Sequence, residues 1–160
     1  MRHFKYLLLS LVFLVVQMTV AHLLSVEGIT PDILIIWVAY LALKEGQTAG
    51  TIWGFCIGLA FDLATGGFIG LSALTKTVCG FSTGYFFNEN KTSLTLSSYR
   101  FLVVVLVASL IHNSLYFLVY TQGSDIGIAR AVLQVGLATT FYTTTWTLLP
   151  MLAFARRNLA

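Results

Sequence analysis

Four ionisable residues, Asp32, Asp62, Lys76 and Arg130, lie in or beside strongly apolar stretches of this chain. A charge taken into a bilayer costs several kcal/mol unless it is paired or hydrated, so such residues mark a functional site by default. Asp62 stands just before the tight turn Thr65-Gly66-Gly67, and Lys76 stands after it. A lysine stem can lie along apolar surface while its ammonium snorkels toward a polar partner, which predicts an Asp62–Lys76 contact. Two readings of that contact stay open: a simple ion pair that fixes the hairpin, and the wall of a functional, outward-facing pocket. Asp32 has a local explanation. Thr30-Pro31-Asp32 spells an N-cap, a proline at the first helical position and an acidic residue in the first turn, all favourable at a helix N-terminus.

One catalytic pattern is present. Gly80-Phe81-Ser82-Thr83-Gly84 matches G-x-S-x-G, and His112 is a conceivable base for an intramembrane serine hydrolase. The nucleophile elbow behind that pattern needs a sharp strand-to-helix turn, whereas this serine falls within a predicted helix of small residues. His112 and Asn113 are expected instead to bond to neighbouring helices. No metal-ligand spacing, Walker motif or dinucleotide fingerprint occurs, so no catalytic residue, metal or cofactor is expected. Cys56 and Cys79 sit in apolar stretches, where a cysteine behaves as a small packed apolar residue.

The elements that position these residues follow from composition. Of 160 residues, 58% are hydrophobic and 9% charged, far from the roughly 25% charged residues of a soluble domain. The mean hydropathy is +0.87. A spanning helix needs about 20 mostly apolar residues, so the chain is predicted to be an all-α integral membrane protein, residues 1–160 forming a single transmembrane domain. Six spans are read at 4–26, 31–43, 46–64, 68–87, 99–120 and 128–154, with no length left for a separate soluble domain. The second is short, covering only roughly 20 Å at 1.5 Å per residue. Arg2 and Lys5 ahead of an apolar run imitate a signal peptide, but the run continues through His22 to Val26 and is read as a first span.

Basic residues set the orientation, because cytoplasmic loops are enriched in Lys and Arg. With both termini cytoplasmic, that side collects Arg2, Lys5, Lys44, Lys91, Arg100, Arg156 and Arg157, against Arg130 alone opposite. Asn90-Lys91-Thr92 spells a glycosylation acceptor but falls in a cytoplasmic loop on this plan. Asp32, Asp62, Lys76 and Arg130 then all lie toward the outer half of the membrane. The formal charge of +3 is small and scattered, and nucleic acid is not implied.

Small residues predict the packing. Glycine recurs every fourth residue at Gly46, Gly50, Gly54 and Gly58, and the row ends on Asp62. Each step of four turns the row by about 40°, so Gly58 and Asp62 are expected on one face, with Gly46 looking elsewhere. Gly70, Ala73, Thr77, Gly80 and Gly84 make a second seam, and Gly136, Thr140, Thr143 and Thr147 a third, with Pro150 kinking the end. Small residues at such spacing let helices approach closely in lipid, and threonines can hydrogen-bond across them.

Pro31-Asp32 opening the second span, Lys44-Glu45-Gly46 at the turn, Gly54 through Gly58 to Phe61-Asp62-Leu63, and Gly66-Gly67-Phe68-Ile69-Gly70-Leu71 together resemble the MreD family of bacterial rod shape-determining membrane proteins. The resemblance covers roughly residues 30–85. It implies a non-catalytic inner-membrane scaffold subunit of the cell-elongation machinery that binds MreC, within a larger assembly of MreB, RodA and a penicillin-binding transpeptidase that builds lateral-wall peptidoglycan. It also implies a bundle similar to the six-helix substrate-binding subunits of energy-coupling-factor vitamin transporters. Asp32 and Asp62 are motif positions of the family, as is the glycine turn, whereas Lys76 matches no motif. The rival reading, a vitamin-transporter subunit, is disfavoured because the first helix has one alanine, Ala21, where that class carries an A-x-x-x-A pair.

Overall fold

The computed structural model describes residues 2–23, 29–123 and 131–159, and among them every regular element is helical. The helices are α1 (Arg2–Leu23), α2 (Ile33–Glu45), α3 (Gln47–Thr65), α4 (Leu71–Gly84), α5 (Thr92–Leu96), α6 (Tyr99–Tyr120), α7 (Leu137–Trp146) and α8 (Leu148–Leu159). A π-helical turn, Ala131–Gly136, leads into α7. Helices α3 and α6 are each long and apolar enough to cross a membrane, and α1 is apolar over His3–Thr19.

A helix that is apolar on every side must be surrounded. Helix α2 is such a segment: Leu34, Ile35, Val38, Ala39, Leu41 and Ala42 are wholly buried, and α1, α3, α4 and α6 pack around it. The outer helices do the opposite. Phe4 and Leu8 on α1, Ile52 and Leu63 on α3, Val103 on α6 and Phe141 on α7 all point outward. Soluble chains rarely expose apolar patches of more than a few hundred Å², so this coat fits a lipid solvent.

Helices α3 and α4 form the tightest pair, antiparallel and in direct backbone contact. A Cβ added at Gly54 would meet the backbone carbonyl carbon of Lys76 at 2.9 Å, and one at Gly58 would meet the Cα of Ala73 at 2.6 Å. At Gly50 it would meet the Cα of Ala42 at 2.8 Å and the Gly80 carbonyl oxygen at 2.9 Å. Gly80 and Gly84 answer from α4, against Gly50 and Gln47. The seam thus runs through Gly50, Gly54 and Gly58 of α3. Gly46 does look elsewhere: at φ +93° it ends α2 and opens α3.

The fourth and sixth segments and the loop before α6 depart most from the sequence reading. The fourth helix starts at Leu71 because Gly70, at φ +97°, breaks the chain after Phe68 and Ile69. The sixth segment divides at Thr147, between α7 and α8. Pro150 lacks an N–H and crowds the carbonyl four residues back, that of Trp146, which places the break there. The loop before α6 contains α5, whose Leu96 is buried with Phe101 and Leu43.

Candidate functional site

The polar groups inside this apolar bundle collect around the ends of α2, α3 and α4. Helix α3 ends at Gly66, whose left-handed φ of +68° lets its N–H reach the Asp62 carbonyl at 3.0 Å. The turn then doubles back over the Asp62 side chain. Oδ2 accepts from the Gly70 and Ala73 N–H groups at 2.9 and 3.2 Å, and Oδ1 accepts from the Ser72 N–H at 3.2 Å. These are donors that a helix N-terminus leaves without intrahelical partners, and a negative charge there also meets the positive end of the helix dipole. Asp62, 3% exposed, is therefore the cap of α4. It does not pair with Lys76 as the sequence suggested, because backbone donors close the turn around both of its oxygens.

Lys76 turns to α2 instead. Its Nζ lies 2.9 Å from Asp32 Oδ2 and 5.2 Å from the centre of the Phe61 ring. At 1% exposure Lys76 is among the largest wholly buried side chains. His112 Nε2, from α6, lies 3.5 Å from the same Asp32 oxygen. Oδ1 accepts from the Ile35 N–H at 3.2 Å, so Asp32 itself is the N-cap of α2. The cap falls two residues later than the Thr30 predicted from sequence, and Pro31 precedes the helix. Aspartate is the stronger capping residue of the two.

More polar side chains clasp the same strand of backbone. Gln17 of α1 donates to the Pro31 carbonyl at 3.0 Å and accepts from the Ile33 N–H at 2.7 Å. Thr143 of α7 accepts from the Asp32 N–H at 3.0 Å. One turn away Asn113 of α6 donates to Thr140 Oγ1 at 2.9 Å and to Ser109 Oγ at 3.3 Å. The cross-helix bonding expected of Asn113, Thr140 and Thr143 is present, while the Thr147 hydroxyl donates to the Thr143 carbonyl one turn earlier in the chain. Arg130 lies outside the described residues.

Of the residues singled out from sequence, Asp32 and Lys76 meet, and Asp62 has its own task on the neighbouring turn. Sequence reasoning missed Gln17 and did not join His112 to Asp32. The signal for Gln17 was there, as a lone amide in the apolar run of α1. Chemically the cluster is a carboxylate neutralised by an ammonium beside an imidazole, with hydrogen bonds to helix ends. Ser82 is not part of it: its hydroxyl donates to the Val78 carbonyl at 2.7 Å. Among the described residues no group of three or more His, Cys, Asp or Glu is placed to hold a metal ion.

Comparison with known proteins agrees with the motif reading and widens it. A family model described as rod shape-determining protein MreD matches residues 1–155, well beyond the 30–85 segment that carried the resemblance. A search of curated proteins returns no match, and neither does a search of solved structures. With nearly the whole chain matched, and with apolar helices that expose their side chains outward, this chain belongs to the MreD family of rod shape-determining membrane proteins.

Proposed function

We propose that this chain is a non-catalytic, six-span scaffold of the bacterial inner membrane, both termini cytoplasmic, that binds MreC and through it helps organise RodA, a penicillin-binding transpeptidase and MreB during lateral-wall synthesis. The family supplies the rod-shape role. The observation that carries the scaffold reading is how the polar residues are used. Helices α2 and α4 have 13 and 14 residues, so at 1.5 Å per residue they reach only about 20 Å into a core of about 30 Å. On a six-span plan their flanking turns lie below the interface, where irregular backbone is tolerated only if protein groups satisfy it. Asp62 satisfies the turn before α4, and Gln17, Thr143 and Asp32 satisfy the one before α2. Buried polar chemistry is thereby spent on holding helices in place. The outer apolar faces of the bundle are left for lipid and for a partner's helix, and the Asp32–Lys76 end lies on the outer side, where the extracytoplasmic domain of MreC resides.

The test is extraction of the chain from its native membranes in mild detergent, followed by mass spectrometry of co-purifying proteins and small molecules. Recovery of MreC with wall-synthesis enzymes is the expected result. Recovery of an ATPase pair and a bound vitamin, without MreC, overturns the scaffold reading in favour of a transporter subunit.

A further inference from the structure

On the side of α2 away from the glycine seam, α1 and α8 do not close on each other. Between them lies a slot of about 630 Å³. Its floor is α2, through Ile36, Trp37 and Tyr40, and its walls are apolar, with Leu9 and Phe13 on α1 and Leu149 and Phe154 on α8. Trp37 stacks on Tyr40 at 5.2 Å and Tyr40 on Phe154 at 5.5 Å, which makes a rigid aromatic base.

Among the described residues, charge lines the slot at one end. Lys5 and Lys44 line that mouth. The Lys44 ammonium is fixed there, donating to the Tyr40 hydroxyl at 2.9 Å and lying 5.3 and 5.6 Å from the Tyr40 and Tyr6 ring centres. Glu45, next in sequence, does not line the slot and accepts from the Tyr6 hydroxyl at 2.6 Å.

The length of the slot identifies its occupant. Among the described residues it extends along α1 from Lys5 to Val16, roughly 16 Å at 1.5 Å per residue, which is the depth of one leaflet of a core about 30 Å thick. A spanning helix of a partner would run the full thickness and needs no cationic mouth. An acyl chain ending in a phosphate fits both features, and basic pockets between membrane helices are a recurrent way to hold lipid headgroups. We infer that this slot binds one acyl chain of an anionic phospholipid, with the headgroup phosphate held by Lys5 and Lys44. The inference is independent of the scaffold reading, since it requires neither MreC nor any wall enzyme.

The slot carries its own reporters. Trp37 and Trp146 line it, whereas Trp53 lies in a separate groove beside Cys56 and Ile57. The full chain carrying Trp53→Phe is reconstituted into phosphatidylcholine nanodiscs doped with brominated phosphatidylglycerol or, in parallel, brominated phosphatidylcholine, and tryptophan quenching is followed. A lysine near an anionic lipid favours it by about fivefold, so a preference for the phosphatidylglycerol probe on the order of tenfold or more is expected. It should fall to within about twofold in Lys5→Gln/Lys44→Gln and persist in Lys44→Arg. Lys5→Gln alone, at an exposed position, lowers the preference by a smaller step and reads the site even where the double variant folds poorly. Equal quenching by the two probes overturns the inference, as does a preference that the glutamine variants leave unchanged. Protection of both tryptophans from either probe also overturns it, because a protein segment then fills the slot.

Discussion

Lys76 and Asp32, 44 residues apart in sequence, meet as a buried ion pair with Nζ 2.9 Å from Oδ2. The pair ties the start of α2, the central helix, to α4, whose backbone is already locked against α3. Asp32 simultaneously caps α2 through the Ile35 N–H. One carboxylate therefore fixes both where the central helix begins and which way the α3–α4 hairpin leans.

Removing one member of a buried pair leaves an uncompensated charge, at a cost of about 3–5 kcal/mol, whereas replacing both is often close to neutral. Lys76→Met is accordingly expected to destabilise the protein strongly. Asparagine caps as well as aspartate, so Asp32→Asn/Lys76→Met should recover at least half of the loss. Unfolding by a denaturing detergent, followed across the four members of the double-mutant cycle, measures this. Equal loss in the single and double variants would mean that the two residues do not act as a pair.

Asp62 gives a separate expectation, because its partners are backbone donors. Asp62→Ala removes the acceptor for three N–H groups of the α4 turn, those of Ser72 and Ala73 buried and that of Gly70 partly so, and should cost about 2 kcal/mol, the upper end of measured N-cap losses. The loss should add to that of Lys76→Met within about 0.5 kcal/mol, as for sites without a shared partner. A coupling of more than about 1 kcal/mol would restore the direct Asp62–Lys76 pairing.

Why that pairing looked right from sequence, and is wrong, is a matter of what each residue can reach. Hydropathy alone sufficed for α6, read at 99–120 and observed as Tyr99–Tyr120, because an apolar run between polar ends has one solution. The glycine seam was legible for a similar reason: only backbone contact explains so many glycines in a helix. The partner of Lys76 was not legible, since it depends on a helix 44 residues away in sequence, and periodicity within α3 and α4 says nothing about which neighbour lies across from position 76. The backbone donors that occupy Asp62 appear only once Gly66 and Gly70 are known to take positive φ. Capping of α2 by Asp32 was placed two residues early because threonine and aspartate are both capping residues, and tertiary contacts from Gln17 and Thr143 select between them.

The seam itself is testable with the smallest possible side chain. A methyl at Gly54 meets the Lys76 backbone, which cannot turn aside, so Gly54→Ala should destabilise by about 1–3 kcal/mol, the usual cost of overpacking. Gly67→Ala is the control: its φ is not positive, and the nearest atom to an added Cβ is the Thr65 hydroxyl oxygen at 3.8 Å. That variant should change stability by less than about 0.5 kcal/mol, as surface substitutions do. Comparing both by loss of the monodisperse peak after heating in detergent separates a packing role from a general sensitivity to change at glycine. Similar losses in the two variants would argue against the seam.

Ser82 tests whether any chemistry hides in the G-x-S-x-G run. A nucleophile must present its hydroxyl to a base and to substrate, but the Ser82 hydroxyl is turned back onto the Val78 carbonyl of its own helix at 2.7 Å. His112, the one base proposed for it, has its Nε2 against Asp32. Ser82 lies six residues beyond Lys76, the lysine that shares that carboxylate, or roughly 9 Å further along α4. Losing a back-bonded hydroxyl within a helix costs little, since such bonds compete with the helix and slightly destabilise it. Ser82→Ala should therefore restore rod shape as well as the unaltered chain does when either is expressed in cells lacking the gene, and a fluorophosphonate probe should leave the purified protein unlabelled. Labelling that disappears in Ser82→Ala, together with loss of rod shape, would reverse the non-catalytic reading. Rod shape retained alongside an inert serine leaves this hydroxyl with no task beyond the packing of α4.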